Sequence, residues 1–252
     1  MSLLKTEHIG MTFGGLKAVS DFSIEIKEDE LVGLIGPNGA GKTTIFNMLT
    51  GVYAPTEGKV LLGETVVNGK KPYQIVNLGL GRTFQNIRLF KELSVIDNIK
   101  IAFHKDMSYN TVSAVFRGKK FWKEEKEIDI KARELLSLFN MEEDASVLSS
   151  NLPYGKQRKL EICRALATNP KLLLLDEPAA GMNPQETKEL METIAFIREK
   201  FKVSILLIEH DMSLVMGICE RIVVIDYGRM IAAGTPAEIK SNEKVIGAYL
   251  GQ

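Results

Sequence analysis

The chain has 252 residues, with 32 Lys+Arg against 32 Asp+Glu and a formal net charge of zero. That length buries a substantial core, and the balanced charge excludes a protein held to nucleic acid mainly by a basic surface. No apolar stretch approaches the ~20 residues that cross a bilayer, and the start lacks the apolar segment of a secretory signal, so the expectation is a soluble chain that serves a membrane, if at all, from its surface.

The first 30 residues alternate weakly, as in FSIEI (22–26), and carry Gly14-Gly15, which predicts β-strands joined by turns. ELVGLIG (30–36) reads as a buried strand. It runs into the Gly-rich stretch GPNGAG and then a helix over Lys42–Thr50, stopped by Gly51. KVLLG and ETVV, within 59–67, read as further strands.

From about 86 to 168 strand signals nearly vanish. Helical periodicity replaces them in Ser94–Phe103 and Phe121–Asn140, where Ile128, Ala132, Leu135, Leu136 and Phe139 share one face. A third helix opens at Pro153, a residue suited to a first helical turn. Gly155 costs that helix roughly 1 kcal/mol relative to Ala, which predicts that another group approaches its backbone closely. Cys163 and Cys219 lie far apart in apolar surroundings and read as buried thiols.

The rhythm then changes back. LLLL (172–175) is a strand, Gln185–Phe201 a helix, VSILLI (203–208) a strand, Met212–Cys219 a helix and RIVVID (221–226) a strand. A hairpin over 228–234 and two short helices, PAEI and KVIGAYLG, close the chain. Apolar strands separated by helices predict a parallel sheet covered on both faces. The expected fold is therefore α/β: a core of residues 1–85 plus 169–252 with a mixed, mainly parallel sheet, an N-terminal antiparallel β-subdomain, and a helical subdomain inserted over 86–168.

Gly36-Pro37-Asn38-Gly39-Ala40-Gly41-Lys42-Thr43 has the spacing of a phosphate-binding loop. Its glycines let backbone N–H groups curl around phosphate oxygens, and the following helix points its positive end at them. Lys42 reaches the β- and γ-phosphates, and the Thr43 hydroxyl can ligate Mg²⁺. LLLLDEP (172–178) supplies the acidic strand end that such a loop requires. Asp176 is expected to hold Mg²⁺, directly or through water, and Glu177 to orient and deprotonate the attacking water. VSILLIEHD ends a second strand on His210, whose imidazole is expected to face the γ-phosphate. Gln85, in GRTFQN, sits at another strand end, where its amide can bind Mg²⁺ or the attacking water.

In this order GPNGAGKTT, which adds Thr44 to the loop, the Gln after RTF, LPYGKQRKLEICRAL, LLLLDEP and the His after an apolar strand resemble the ATP-binding cassette ATPase family along essentially the whole chain. The resemblance implies the P-loop ATPase fold of that family, with ATP and Mg²⁺ as cofactors. It implies that Leu152-Pro153-Tyr154-Gly155-Lys156 stands where the family carries its signature, which meets the nucleotide held by a second cassette. It also implies that Phe13 stacks on adenine, with a core aromatic as the alternative, and that Val19 packs beside the base. The sequence departs from the common signature: Pro153 replaces a Ser, Tyr154 a Gly and Lys156 a Gln, while Asn183 stands where an Asp is frequent. Lys156 is thereby expected to add a cation near the phosphates.

FGGLKAV, RTFQNIRLF, EPAAGMNP and the ending GTPAEI…VIGAYLG, with the helical insertion around 104–127, look most like the ATPase subunits of prokaryotic importers for branched-chain amino acids. The partners so implied are integral-membrane permease subunits, a second cassette and, indirectly, a substrate-binding protein, at the cytoplasmic face of the membrane. Related cassettes for urea uptake or lipopolysaccharide extraction, or a soluble non-transport cassette, are the alternatives.

Overall fold

The computed structural model describes residues 2–104 and 118–250, apart from the side chains of Lys119 and Leu250. Part of the helical insertion expected around 104–127 therefore lies outside the described residues. Met1–Gln85 with Lys171–Gln252 form one compact unit, and Asn86–Pro170 form a second.

The first unit carries two sheets. The smaller is antiparallel and built from β1 (Ser2–Phe13), β2 (Leu16–Phe22), β3 (Glu25–Lys27), β5 (Glu57–Leu62) and β6 (Thr65–Val66), with β1 pairing β2, β3 and β5. The larger has the order β11-β10-β4-β9-β8-β7. Its members are β4 (Leu31–Ile35), β7 (Leu80–Arg82), β8 (Leu172–Asp176), β9 (Ser204–Ile208), β10 (Arg221–Asp226) and β11 (Arg229–Gly234). Every pairing in it is parallel except β10 with β11. This is the mixed, mainly parallel sheet with an antiparallel N-terminal layer that the sequence predicts.

All five residues of β4, of β8 and of β9 are buried. Strands inside a covered parallel sheet have both faces apolar, which is why their sequences do not alternate. The register sets Leu34 and Asp176 both against Ile208. The carboxyl ends of β4, β8 and β9 are thus level, and the loops after them emerge side by side, where open α/β sheets place their ligands. Helices α1 (Lys42–Leu49), α6 (Pro184–Phe201) and α7 (Met212–Ile218) follow those strands. A short helix α2 (Pro72–Asn77), absent from the sequence reading, is started by Pro at its first position. Helices α8 (Pro236–Lys240) and α9 (Glu243–Leu250) end the described chain.

The second unit is helical: α3 (Val95–Phe103), α4 (Lys119–Leu138) and α5 (Tyr154–Leu166), with a 3₁₀ turn at Ser149–Asn151. Ser94 caps α3 by accepting the Asp97 amide. Ile128, Ala132, Leu135, Leu136 and Phe139 are buried together, as their periodicity predicts, and α3 packs against both α4 and α5. Pro153 is the residue before α5, not its first helical residue: its ψ of 151° is extended, and Tyr154 begins the helix. Both cysteines are buried free thiols.

Candidate nucleotide site

The loop 36–42 leaves β4 and enters α1. Gly41, the N-cap, has φ 104°, and a Cβ there would lie 2.8 Å from the Ala18 carbonyl oxygen. Only glycine fits that conformation and that approach. No side chain caps α1, so its first amides face outward beside the exposed Thr43 and the half-buried Thr44. Lys42 is buried, and its Nζ donates to the carbonyls of Gly36 at 2.7 Å and Pro37 at 2.9 Å. Burial pushes its ammonium below the ordinary lysine value, against the pull of Glu177 and Asp176. The loop thus holds its cation close to both acidic residues.

Glu177 gathers the second set of predicted residues. It follows β8 with φ 47°, and its amide donates to the Ile208 carbonyl at 2.9 Å. A left-handed conformation costs a residue with a Cβ roughly 1–2 kcal/mol, and such strain gathers at functional sites. Its Oε1 lies 2.9 Å from His210 Nε2, and its Oε2 accepts Gln85 Nε2 at 2.6 Å. Residues 92 and 33 positions away converge on one carboxylate. Asp176, its neighbour, turns to a different partner: Arg82 Nη2 donates to its Oδ2 at 2.7 Å inside the unit.

Val19 and Lys156 each have a partner within their own unit. Val19 is fully buried, and its Cγ2 stands against the position of a Gly41 side chain. It packs against the loop at Gly41. Lys156, expected near phosphates, is paired with Asp144 at 2.7 Å in its own unit. Phe13 is 40% exposed and forms a T-shaped pair with Tyr53, 5.3 Å between ring centres. Asn183 is committed as the cap of α6, accepting the amides of Gln185 and Glu186.

Within the second unit Leu152 is buried, Pro153 and Tyr154 are exposed and Gly155 is half-buried. The Tyr154 hydroxyl accepts from Arg158 at 3.2 Å, and Arg158 pairs with Glu161 at 2.8 Å in full burial. Glu161 in turn accepts the Arg88 amide at 3.1 Å.

Sequence reasoning missed Arg82, Glu209 and this buried pair. Glu209 accepts the amides of Ala179, His210 and Asp211 and fixes the two loops that flank Glu177. Burial pushes its carboxyl above the ordinary value, only partly offset by those amides. The available signal was a charge in an otherwise apolar strand: Arg in LGR, and Glu after SILLI.

Thr43, Asp176 and Gln85 offer hydroxyl, carboxylate and amide oxygens, a hard donor set that suits Mg²⁺. Among the described residues no group of three or more His, Cys, Asp or Glu could hold a metal.

Comparison with known proteins agrees with this geometry. Residues 19–180 match the ABC transporter family, and residues 229–252 match a family described as branched-chain amino acid ATP-binding cassette transporter. The chain is 49% identical over 250 residues to the high-affinity branched-chain amino acid transport ATP-binding protein LivG of Salmonella typhimurium, covering 99% of this chain and 98% of the relative. It is 45% identical over 250 residues to the corresponding protein BraF of Pseudomonas aeruginosa, with the same coverage. The ADP conformation of MJ1267, an ATP-binding cassette of an ABC transporter, superposes with a TM-score of 0.86 at 30% identity, covering 100% of both chains. An identity this high along nearly the whole length, on a cassette fold with its phosphate loop in place, means that the chain belongs to the ABC transporter family as an ATP-binding subunit.

Proposed function

We propose that the chain hydrolyses ATP to drive an importer of branched-chain, hydrophobic amino acids, from the cytoplasmic face of a prokaryotic membrane. The observation that carries the hydrolytic reading is the convergence of Gln85 and His210 on Glu177 beside Lys42. The substrate class is supported by the similarity to LivG and BraF, which also disfavours urea uptake, lipopolysaccharide extraction and a soluble cassette. Permease subunits, a second cassette and a substrate-binding protein are the proposed partners, on the similarity to transport ATP-binding proteins.

In this reading the amides at the start of α1 and the Lys42 ammonium hold the phosphates. Nucleotide phosphate would take over the donors that Lys42 now gives to Gly36 and Pro37. Phe13 offers its ring to the base. Thr43, Gln85 and Asp176 would hold Mg²⁺, which neutralises charge on the transferring phosphoryl group. Glu177 accepts the proton of the attacking water, and His210 and Gln85 fix the orientation of its carboxylate. In the second unit of a partner cassette, Tyr154, Gly155 and the start of α5 offer backbone amides to the nucleotide held opposite.

Glu177→Gln tests the hydrolytic reading. It keeps the shape of the side chain and removes the base, so hydrolysis is expected to fall by roughly 10²–10⁴-fold with ATP binding retained. Hydrolysis at the parent rate would remove Glu177 as the base. Uptake of labelled leucine by vesicles holding the chain with its permeases tests the substrate class, with labelled urea as the competing arm.

A further inference from the structure

Arg82 is a cation inside β7, and no feature of phosphate binding calls for it. Its side chain is 7% exposed and that of its partner Asp176 5%. Nη2 donates to Asp176 Oδ2 at 2.7 Å, while Nη1 donates to Asn47 Oδ1 at 2.8 Å and Thr50 Oγ1 at 3.1 Å. The guanidinium carbon lies 5.6 Å from the Phe46 ring centre and 5.0 Å from that of Phe84. Buried Nε has no hydrogen-bond partner among the described residues. Leaving a buried donor unmet costs about 1–3 kcal/mol, so the head group is placed for its fork and not to satisfy every donor. Held by α1, by β8 and by two rings, the planar fork has no freedom to turn.

The consequence falls on Asp176. A carboxylate has two oxygens with about two lone pairs each, and Arg82 engages one of those on Oδ2. Mg²⁺ demands near-ideal octahedral geometry and keeps several waters, whereas Ca²⁺ accepts six to eight oxygens and readily takes both from one carboxylate. We propose that Arg82 is a positioning residue that sets metal selectivity: by holding and partly neutralising Oδ2 it turns the carboxylate so that Oδ1 is the better donor to the cation or its water, which suits Mg²⁺ and weakens the bidentate grip that Ca²⁺ takes. The inference rests on the reading of Asp176 as the metal-facing carboxylate.

The test is a titration of the full chain. Binding of a fluorescent ATP analogue is followed against Mg²⁺ and, separately, against Ca²⁺. The ratio of the two half-saturation concentrations is the readout, and it requires no turnover. Arg82→Lys keeps the charge but replaces the fork by a point donor; Arg82→Met removes both. The preference for Mg²⁺ is expected to fall by roughly tenfold in each, the lower end of what partners of metal ligands contribute. Binding of the analogue in EDTA is expected to stay at the parent level. A parent-like ratio in Arg82→Lys overturns the inference, and that variant decides alone if Arg82→Met does not fold. Asp176→Asn separates the two levels: full parent metal dependence in that variant, with Arg82 intact, overturns the reading of Asp176 itself.

Discussion

Removing one member of the buried Arg158–Glu161 pair is expected to be among the most damaging single changes in the helical unit. Arg158 is 0% and Glu161 2% exposed, and their atoms meet at 2.8 Å. Arg158→Met fills similar space but takes from the buried Glu161 carboxylate the guanidinium that pairs with it, leaving the Arg88 amide and the nearby Arg164 to face it. Breaking a buried pair from one side costs about 3–5 kcal/mol. For a protein of this size each kcal/mol moves the melting temperature by about 2–4 °C, which gives a fall of about 6–20 °C. The second change, Glu161→Gln, removes that buried charge. It also keeps an oxygen to accept the Arg88 amide now held at 3.1 Å, so that donor is not left unmet. The double variant is therefore expected to be more stable than Arg158→Met alone by at least about 2 kcal/mol, because the penalty lies in the buried charge that lost its guanidinium. The loss of helical circular dichroism follows the melting. A double variant no more stable than Arg158→Met would refute the reasoning, and so would an Arg158→Met transition within 2 °C of the parent.

Other consequences follow from burial. Both cysteines should resist an aromatic disulfide reagent at pH 8 in the native chain and release two thiols after unfolding. Burial pushes Cys219 up to about 12, so only about one molecule in ten thousand carries its reactive thiolate at that pH; rapid native labelling would contradict this. Glu209 gives a pH signature. Its folded-state value lies above the ordinary 4.5, so the native chain binds more protons than the unfolded one between those two values. Stability contributed at this position is full below 4.5 and falls as pH rises through the folded value. Melting curves of the parent relative to Glu209→Gln should show the parent losing ground from about pH 4.5 upward and then levelling; a flat or rising difference would sink the assignment.

Much of this was legible in the chain itself, for identifiable reasons. The phosphate loop is eight consecutive residues, and its chemistry needs only the local turn that its glycines allow. The buried strands are apolar on both faces, so LVGLI, LLLLD and SILLI identify themselves. The Ile128–Phe139 stripe repeats at helical spacing. Other features were illegible because nothing local encodes them. Val19 looks like any strand valine until the fold puts it beneath Gly41. Lys156 is an open cation in the sequence, and only the packing of the helical unit supplies Asp144. The start of α5 lies one residue later than the sequence indicates, because proline tolerates both the cap and the first helical turn.

The sequence by itself determined that a loop for phosphate stands at the end of a buried strand, with acids and a histidine at the ends of others. Tertiary structure alone decided which of them meet. Glu177 faces Gln85 and His210, while its neighbour Asp176 faces Arg82, 94 residues away. The reason is the strand order: β7, β8 and β9 lie side by side although long segments separate β7 from β8, and each strand's twist and register aim its last side chains. Residue type is a local property, but the partner of a charge in a parallel sheet is a property of the whole crossover pattern.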